Sequence, residues 1–380
     1  MQKIKKILLD LKESSNLRTL SQLIHDGAYI TKDGKRLLNL ASNDYLGLGA
    51  SDELFDEFLD TTSKKSLKFS ASSSRSLSGN FEIFSEFESF LAKSYGDGKS
   101  ALLFNSGYHL NVGVISALAS LKNTLFIIDR QAHASAYDGL RLGGASFERF
   151  RHNDTAHIKE ILDKNSGKFE RFIIITEALF SMDGDEAPLG ELGRIKSEHE
   201  GVWLYVDEAH SVGACGHDGL GLCKDSGVDV DFVVFTFGKA ICSMGAALIC
   251  DETVREFLIN RARSLIYSTA IAPINVAFTH FIFKKLGKMK QKRAHLQSLS
   301  DELKVELKKH GAQVLGSRYI ISVLAGSSDS ALKMAARLQH CGYFAPAVRP
   351  PTVAPNTARV RLSLCANMQK DELLGVVNAL

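Results

Sequence analysis

Val202-Trp203-Leu204-Tyr205-Val206-Asp207-Glu208-Ala209-His210-Ser211, followed by Phe232-Val233-Val234-Phe235-Thr236-Phe237-Gly238-Lys239, is the part of the chain that decides its fold. Each stretch opens with a short apolar run, rich in β-branched and aromatic residues, that ends abruptly in polar ones. Such runs, without polar alternation, suit strands buried on both faces. The same pattern repeats at Ala101–Phe104, Leu125–Asp129, Phe172–Thr176 and Ala246–Cys250. Helix-patterned segments such as Leu110–Leu121 and Thr155–Leu162 stand between several of them, and Phe81, Phe84, Phe87 and Leu91 recur at helical spacing. This alternation predicts an α/β domain with a mostly parallel sheet.

The texture changes after about Ile282. Lys284 to Lys309 is basic and helical. Tyr319–Leu324, Tyr343–Val348 and Arg359–Leu364 read as strands, with helices at Ser330–Gln339 and Gln369–Leu380. The expected organisation is an N-terminal arm over residues 1–49, a large α/β domain over 50–282 and a smaller α+β domain over 283–380. The arm is expected to pack with the small domain.

Composition narrows the function. With 380 residues and 45% hydrophobic residues, the chain can bury a large core without covalent staples. A net charge of +3 is too slight to argue for nucleic acid or a membrane surface. The six cysteines form no C-x-x-C pair and read as reduced, mostly buried thiols, and no metal site is expected. Met1 to Leu11 is a better amphipathic helix than a signal peptide, because Asp10 and Glu13 interrupt it. No run approaches the ~18 apolar residues of a membrane span, so a cytoplasmic protein is expected.

In an open α/β sheet, ligands gather at the carboxyl ends of the strands. Here those ends deliver Asn105-Ser106-Gly107-Tyr108, Asp129-Arg130 with His133, Thr176-Glu177 with Ser181, Asp207 with His210, and Thr236 with Lys239. Singly, each has a plain reading: a strand-terminal Asp often only caps a helix, and a lone His or Lys is usually solvated or packed. Together they match what pyridoxal 5'-phosphate demands. A lysine forms a Schiff base with it, and an acid pairs with its protonated pyridine nitrogen. Its phosphate needs backbone N–H groups at a helix start, which Ser106, Gly107 and Tyr108 can supply, and a hydroxyl such as that of Thr236.

At this point the chain resembles the α-oxoamine synthase family of fold-type I pyridoxal phosphate enzymes. The resemblance rests on Ser42-Asn43-Asp44-Tyr45-Leu46-Gly47-Leu48, Ser106-Gly107-Tyr108 with Asn111, Asp129-Arg130 and His133-Ala134-Ser135. It continues through Phe180-Ser181-Met182-Asp183-Gly184-Asp185, Val206-Asp207-Glu208-Ala209-His210-Ser211, Thr236-Phe237-Gly238-Lys239, Ile266-Tyr267-Ser268-Thr269 and Arg349-Pro350-Pro351-Thr352-Val353. The motifs run in family order over most of the chain. They imply the aspartate aminotransferase-like fold, with a large cofactor-binding domain and a small C-terminal one.

The resemblance also implies roles. Lys239 matches the Schiff-base lysine, Asp207 the partner of the pyridine nitrogen, and His133 the imidazole stacked on the ring. His210 and Ser181 match groups near the ring hydroxyl. Ser106, Gly107, Tyr108 and Thr236 fall at the phosphate. Thr269 matches a residue that reaches the neighbouring subunit's cofactor, which implies a homodimer with shared active sites. Asn43 and Arg361 match groups that hold the substrate carboxylate, and Arg349 is a candidate for a second carboxylate on the acyl group. The expected reaction joins an amino acid to an acyl-CoA or acyl-carrier-protein thioester with loss of carbon dioxide.

Arg349-Pro350-Pro351 favours the branch that condenses L-alanine with a pimeloyl thioester on the way to biotin. Sister branches use glycine or serine, as 5-aminolevulinate synthase, 2-amino-3-ketobutyrate CoA ligase and serine palmitoyltransferase do. A non-catalytic partner subunit is the third reading, and the presence of Lys239, Asp207, His133 and His210 argues against it. Three departures from the family pattern stand out. Ser70 to Ser78 replaces a glycine-rich stretch and is expected to be an ordered loop at the site. Cys242 stands where glycine is common, and Leu220 where arginine is frequent. The basic segment 284–293 reads as a solvated helix face.

Overall fold

The computed structural model describes all 380 residues. Its centre is a seven-stranded sheet of β1 (Lys99–Phe104), β2 (Thr124–Asp129), β3 (Ser146–Phe150), β4 (Arg171–Glu177), β5 (Val202–Asp207), β6 (Phe232–Thr236) and β7 (Ala246–Asp251). The spatial order is β1-β7-β6-β5-β4-β2-β3. Only β7 runs against its neighbours; the other pairs are parallel. The carboxyl ends of β1, β2, β4, β5 and β6 therefore share one edge.

Successive side chains on these strands enter opposite cores, as the two-residue period of a strand requires. Leu204 and Val206 join one apolar cluster and Tyr205 the other; Val233 and Phe235 likewise oppose Phe232 and Val234. Both faces are covered by helices, so the strands read as continuous apolar runs. The edge strand β3 escaped that reading. Its sequence Ser146-Phe147-Glu148-Arg149-Phe150 is exposed over much of its length and carries charge, as an edge strand does.

The packing stiffens the site's floor. Phe237 is 1% exposed. Its ring lies 5.7 Å from that of Phe87 and 6.1 Å from that of Phe283. Truncating such a residue costs about 3–5 kcal/mol, and here it would loosen the turn that carries Lys239.

The C-terminal part forms an antiparallel sheet of Ile320–Gly326, Ala358–Ser363, Ala347–Val348 and Val314–Leu315. The arm contributes Ile24–Asp26, Tyr29–Lys32 and Lys35–Asn39, and Tyr343–Phe344 adds to them in parallel. The single strand expected over Tyr343–Val348 is thus two short strands in different sheets. Pro346 lies between them and has no N–H for a ladder. The helix expected over Gln369–Leu380 is α-helical only over Lys370–Leu374 and tightens into a 3₁₀ turn from Gly375.

The boundary expected at 282/283 falls inside the helix Pro273–Lys285, which continues through a 3₁₀ turn into Lys290–Lys309. The basic segment is only partly a solvated face. Arg293 is buried and donates to the carbonyls of Leu286 and His217, both at 2.7 Å. Gln2–Glu13 is a helix with no buried residue. No helix is long and apolar enough to cross a membrane. All six cysteines are free, with Cys341 exposed and Cys242 half-buried.

Candidate active site

Parallel register brings the ends of β4 and β5 side by side, with Glu177 opposite Asp207. One carboxylate oxygen of Asp207, Oδ1, accepts the Ala209 N–H at 2.9 Å, and Oδ2 accepts from Asn111 Nδ2 at 2.9 Å. The next strand, β6, ends at Thr236 and leads into the turn that carries Lys239. Lys239 Nζ lies 2.8 Å from His210 Nε2, and His210 Nδ1 lies 2.6 Å from Tyr45 Oη. Tyr45 Oη reaches Asn43 Oδ1 at 3.1 Å. From the small domain, Arg361 donates through Nη2 to Asn43 Oδ1 at 3.3 Å and through Nε to the Ser181 carbonyl at 2.6 Å. Lys239, His210, Asn43, Arg361 and Ser181 therefore form one connected polar line drawn from arm, large domain and small domain.

His133 caps the helix α1 (Ala134–Gly143), its Nδ1 2.7 Å from Ser135 Oγ. Ser135 Oγ in turn accepts from Asn111 Nδ2 at 2.9 Å, which ties His133 to Asp207.

Burial sets the electrostatics. It lowers Lys239 to about 8, while Asp207 and Glu177 pull it back up and Arg361 lowers it further. His210 falls well below the usual histidine range through burial, then through the charges of Lys239 and Arg361. His133 is lowered by burial, against the pull of Asp207. Glu177 is pushed up to about 8 by burial and then by Asp207; its buried Oε1 has no hydrogen-bond partner. The site thus holds neutral imidazoles and an amine that can lose its proton near neutral pH.

The other end of the site is built for an anion. The helix Gly107–Leu118 starts beside Thr236, and a Cβ at residue 107 would lie 3.4 Å from Thr236 Cβ. Helix starts leave N–H groups unpaired and carry partial positive charge. The Ser106 hydroxyl serves as the cap, accepting the His109 N–H at 3.3 Å. Thr236 Oγ1 donates to the Gly245 carbonyl at 3.0 Å and accepts the Gly238 N–H at 3.4 Å, so its hydroxyl has to turn from Gly245 to donate to an anion in the cradle. A lysine, a paired acid and an N–H cradle at one sheet edge fit pyridoxal phosphate in donor chemistry.

Not every expected residue joins this cluster. Tyr108 is exposed, and its phenol donates to Asp138 Oδ2 at 2.9 Å. Only its backbone belongs to the cradle. Thr269 is exposed; its carbonyl accepts from Asn105 Nδ2 at 2.7 Å, and no hydrogen bond joins it to Lys239 or Asp207 of its own chain. Arg349 donates to the Ser15 carbonyl of the N-terminal segment, and no hydrogen bond joins it to Lys239 or Arg361. The residues without an assigned role in the sequence reading were Tyr45, Asn111, Ser135, Tyr205 and Glu177. All five stand in stretches quoted above, three of them in the family motifs, but what they do is touch other site residues, and adjacency across strands is not written in a motif.

Two of the three departures have structural answers, and nothing in the structure explains Leu220. Cys242 has φ +52°, a left-handed conformation that explains a glycine preference and costs another residue roughly 1–2 kcal/mol. Ser72 likewise takes φ +56°. The Ser-rich stretch is ordered: Ser73 accepts the Ala270 N–H at 2.9 Å, and Arg75 pairs with the buried Glu88.

Fold and site together define a fold-type I pyridoxal phosphate enzyme. The family model for aminotransferase class I and II matches residues 35–380. A Haemophilus influenzae protein provisionally named 8-amino-7-oxononanoate synthase is 45% identical over 376 residues, 98% of each chain. A similarly named Neisseria meningitidis protein is 44% identical over the same span and coverage. Among solved structures, serine palmitoyltransferase from S. paucimobilis, with PLP bound, has a TM-score of 0.88 at 27% identity, covering 99% of this chain and 95% of that one. The 8-amino-7-oxononanoate synthase of Francisella tularensis has a TM-score of 0.75 at 26% identity, covering 90% and 96%. The chain belongs to the aminotransferase class I and II family and, within it, to the α-oxoamine synthases. It is an acyltransferase that depends on pyridoxal phosphate.

Proposed function

We propose that this enzyme condenses L-alanine with pimeloyl-CoA, or a pimeloyl carrier-protein thioester, to give 8-amino-7-oxononanoate. The observation that carries this reading is the 45% identity, over 98% of both chains, to a relative provisionally given that name. A carbon–carbon bond forms between the alanine α-carbon and the acyl carbonyl carbon, and the thiol leaves. The alanine carboxyl departs as carbon dioxide, and a proton returns to the α-carbon.

Pyridoxal phosphate supplies an electron sink for the negative charge that develops at the α-carbon. Lys239 would hold the cofactor, and its amine, once released, would take the α-proton; burial, which lowers that amine below the ordinary lysine range, suits the task. Asp207 would pair with the pyridine nitrogen. His133 would cover the ring face, with His210 and Ser181 near the ring hydroxyl. The phosphate would sit on the Gly107 helix start with Ser106, Tyr108 and Thr236. Arg361, with Asn43, would hold the alanine carboxylate in a two-pronged grip. Thr269, exposed on its own chain, would reach the cofactor of a second copy, which makes the working unit a homodimer. Arg349 would meet the far carboxylate of the pimeloyl chain once it leaves Ser15. Nothing in this scheme calls for a membrane or nucleic acid, and a cytoplasmic location suits a coenzyme A thioester.

A glycine- or serine-using branch is the second reading. It is favoured by the higher TM-score to serine palmitoyltransferase, 0.88 against 0.75. Thiol release, measured for L-alanine, glycine and L-serine against dicarboxylic and plain fatty thioesters, separates the two. A methyl pocket discriminates by only about 1–3 kcal/mol, so glycine should be slow but not inert. Faster turnover with glycine or serine, or indifference to the far carboxylate, would move the chain to a sister branch.

A further inference from the structure

Asn111 is 2% exposed and occupies the second turn of the helix Gly107–Leu118. It touches three side chains. Its Oδ1 lies 2.6 Å from Tyr205 Oη, and its Nδ2 lies 2.9 Å from both Asp207 Oδ2 and Ser135 Oγ. An amide nitrogen carries two protons and accepts nothing. Turned the other way, the amide would set its oxygen against the Asp207 carboxylate. The charge of Asp207 therefore decides the orientation of Asn111, with one N–H to Asp207 and one to Ser135. Tyr205 donates to the amide oxygen.

The proton of Ser135 follows. Its oxygen accepts from Asn111, so its own hydrogen is free for His133 Nδ1, 2.7 Å away. The Ser135 backbone N–H also points at Nδ1, at 3.3 Å. A ring nitrogen that receives two donors carries no proton itself, so the proton of a neutral His133 is on Nε2. No protein group accepts from Nε2, which leaves one N–H for a bound ligand.

We propose that Asn111 is a positioning residue that uses the fixed charge of Asp207 to hold His133, through Ser135, in the tautomer with its proton on Nε2. The tautomer follows from the hydrogen-bond geometry. Its consequence for turnover rests on the reading of Asp207 and His133 as the groups against the cofactor. Burial keeps the His133 ring neutral, in accord with a single tautomer. The arrangement also couples two residues that come from different strand ends, since whatever disturbs Asp207 disturbs the donor at His133.

The test compares the full-length chain with its Asn111→Ala, Ser135→Ala and double variants, each with and without added pyridoxal phosphate. Ring ¹⁵N shifts, with His133 assigned by loss of its signal in a His133→Gln variant, report the tautomer directly. The wild type should show a bare Nδ1 and a protonated Nε2. Each single variant leaves His133 Nδ1 with only the longer, 3.3 Å backbone contact as a fixed donor, so each should show a mixture of tautomers and lose turnover by about tenfold or more, the scale expected when the partner orienting a reactive histidine is removed. The double variant should fall little further than the worse single one, as members of one chain do. Should Asn111→Ala fail to fold, Ser135→Ala carries the test, because Ser135 does not touch Asp207. An unmixed Nε2–H signature in the single variants, or strictly additive losses, overturns the proposal. A wild type that takes up no pyridoxal phosphate would instead overturn the cofactor reading and leave the tautomer result standing.

Discussion

Lys239 Nζ and His210 Nε2 are 2.8 Å apart, with the opposite ring nitrogen 2.6 Å from Tyr45 Oη. A neutral imidazole placed so can accept from an ammonium and donate to a phenol, or do the reverse when the amine has lost its proton. The amine can thus change protonation without stranding a buried group. Burial lowers it to about 8, so acylation of Lys239 in the cofactor-free chain should rise with pH around a midpoint near 8, not near the ~10.4 of a free lysine. Reagent labelling read by peptide mass checks this. In Lys239→Ala, a borohydride-reducible adduct with the cofactor should be absent; its persistence would remove Lys239 from the role.

Asp207 accepts from Ala209 N–H at one oxygen and from Asn111 at the other. Asparagine at 207 keeps a single acceptor and no charge. Asp207→Asn should retain pyridoxal phosphate but lose turnover by about 10²-fold or more, as when other preorganised charges are removed. Cofactor content by absorbance and kcat under saturating substrates decide it, and near-normal kcat would contradict the assignment.

Arg361 is held by the Ser181 carbonyl through Nε while Nη2 faces Asn43. Lysine keeps the charge but has no second prong and no Nε–H. Arg361→Lys should raise the KM for the amino acid more than it alters cofactor affinity. Loss of cofactor with an unchanged amino acid KM would place Arg361 at the phosphate instead.

His152 holds the Asp183–Asp185 turn against the sheet. Its Nδ1 lies 3.0 Å from Asp129 Oδ1 and its Nε2 lies 2.8 Å from Asp185 Oδ2, while Arg359 pairs with Asp183. Burial alone would lower the imidazole, but the two carboxylates outweigh it and raise it to about 9. A raised value means that its contribution is complete below the unfolded value of about 6.5 and fades as pH climbs through 9. Urea denaturation of the wild type should therefore show an advantage over His152→Gln, on the order of 2–3 kcal/mol at pH 6 and shrinking by pH 9.5. A difference that does not vary with pH would mean that the ring is neutral and only packs, as it does edge-on to Phe180 at 4.4 Å.

The strands buried on both faces were legible in the sequence, because a run with no polar alternation can be covered only from two sides. So were the strand-end residues Lys239, Asp207, His133 and His210, since polar groups that break such a run emerge at the sheet edge where ligands bind. The exposed edge strand Ser146–Phe150, which buries one residue, left no such trace. Tertiary structure alone decided that Glu177 stands opposite Asp207, that Tyr45 of the arm closes on His210, and that Asn111 joins Asp207 to Ser135. Those contacts span 30, 165, 96 and 24 residues. Local propensity and periodicity act over a few residues; contacts across such separations are selected only when the two cores close and each buried polar group has to find its partner.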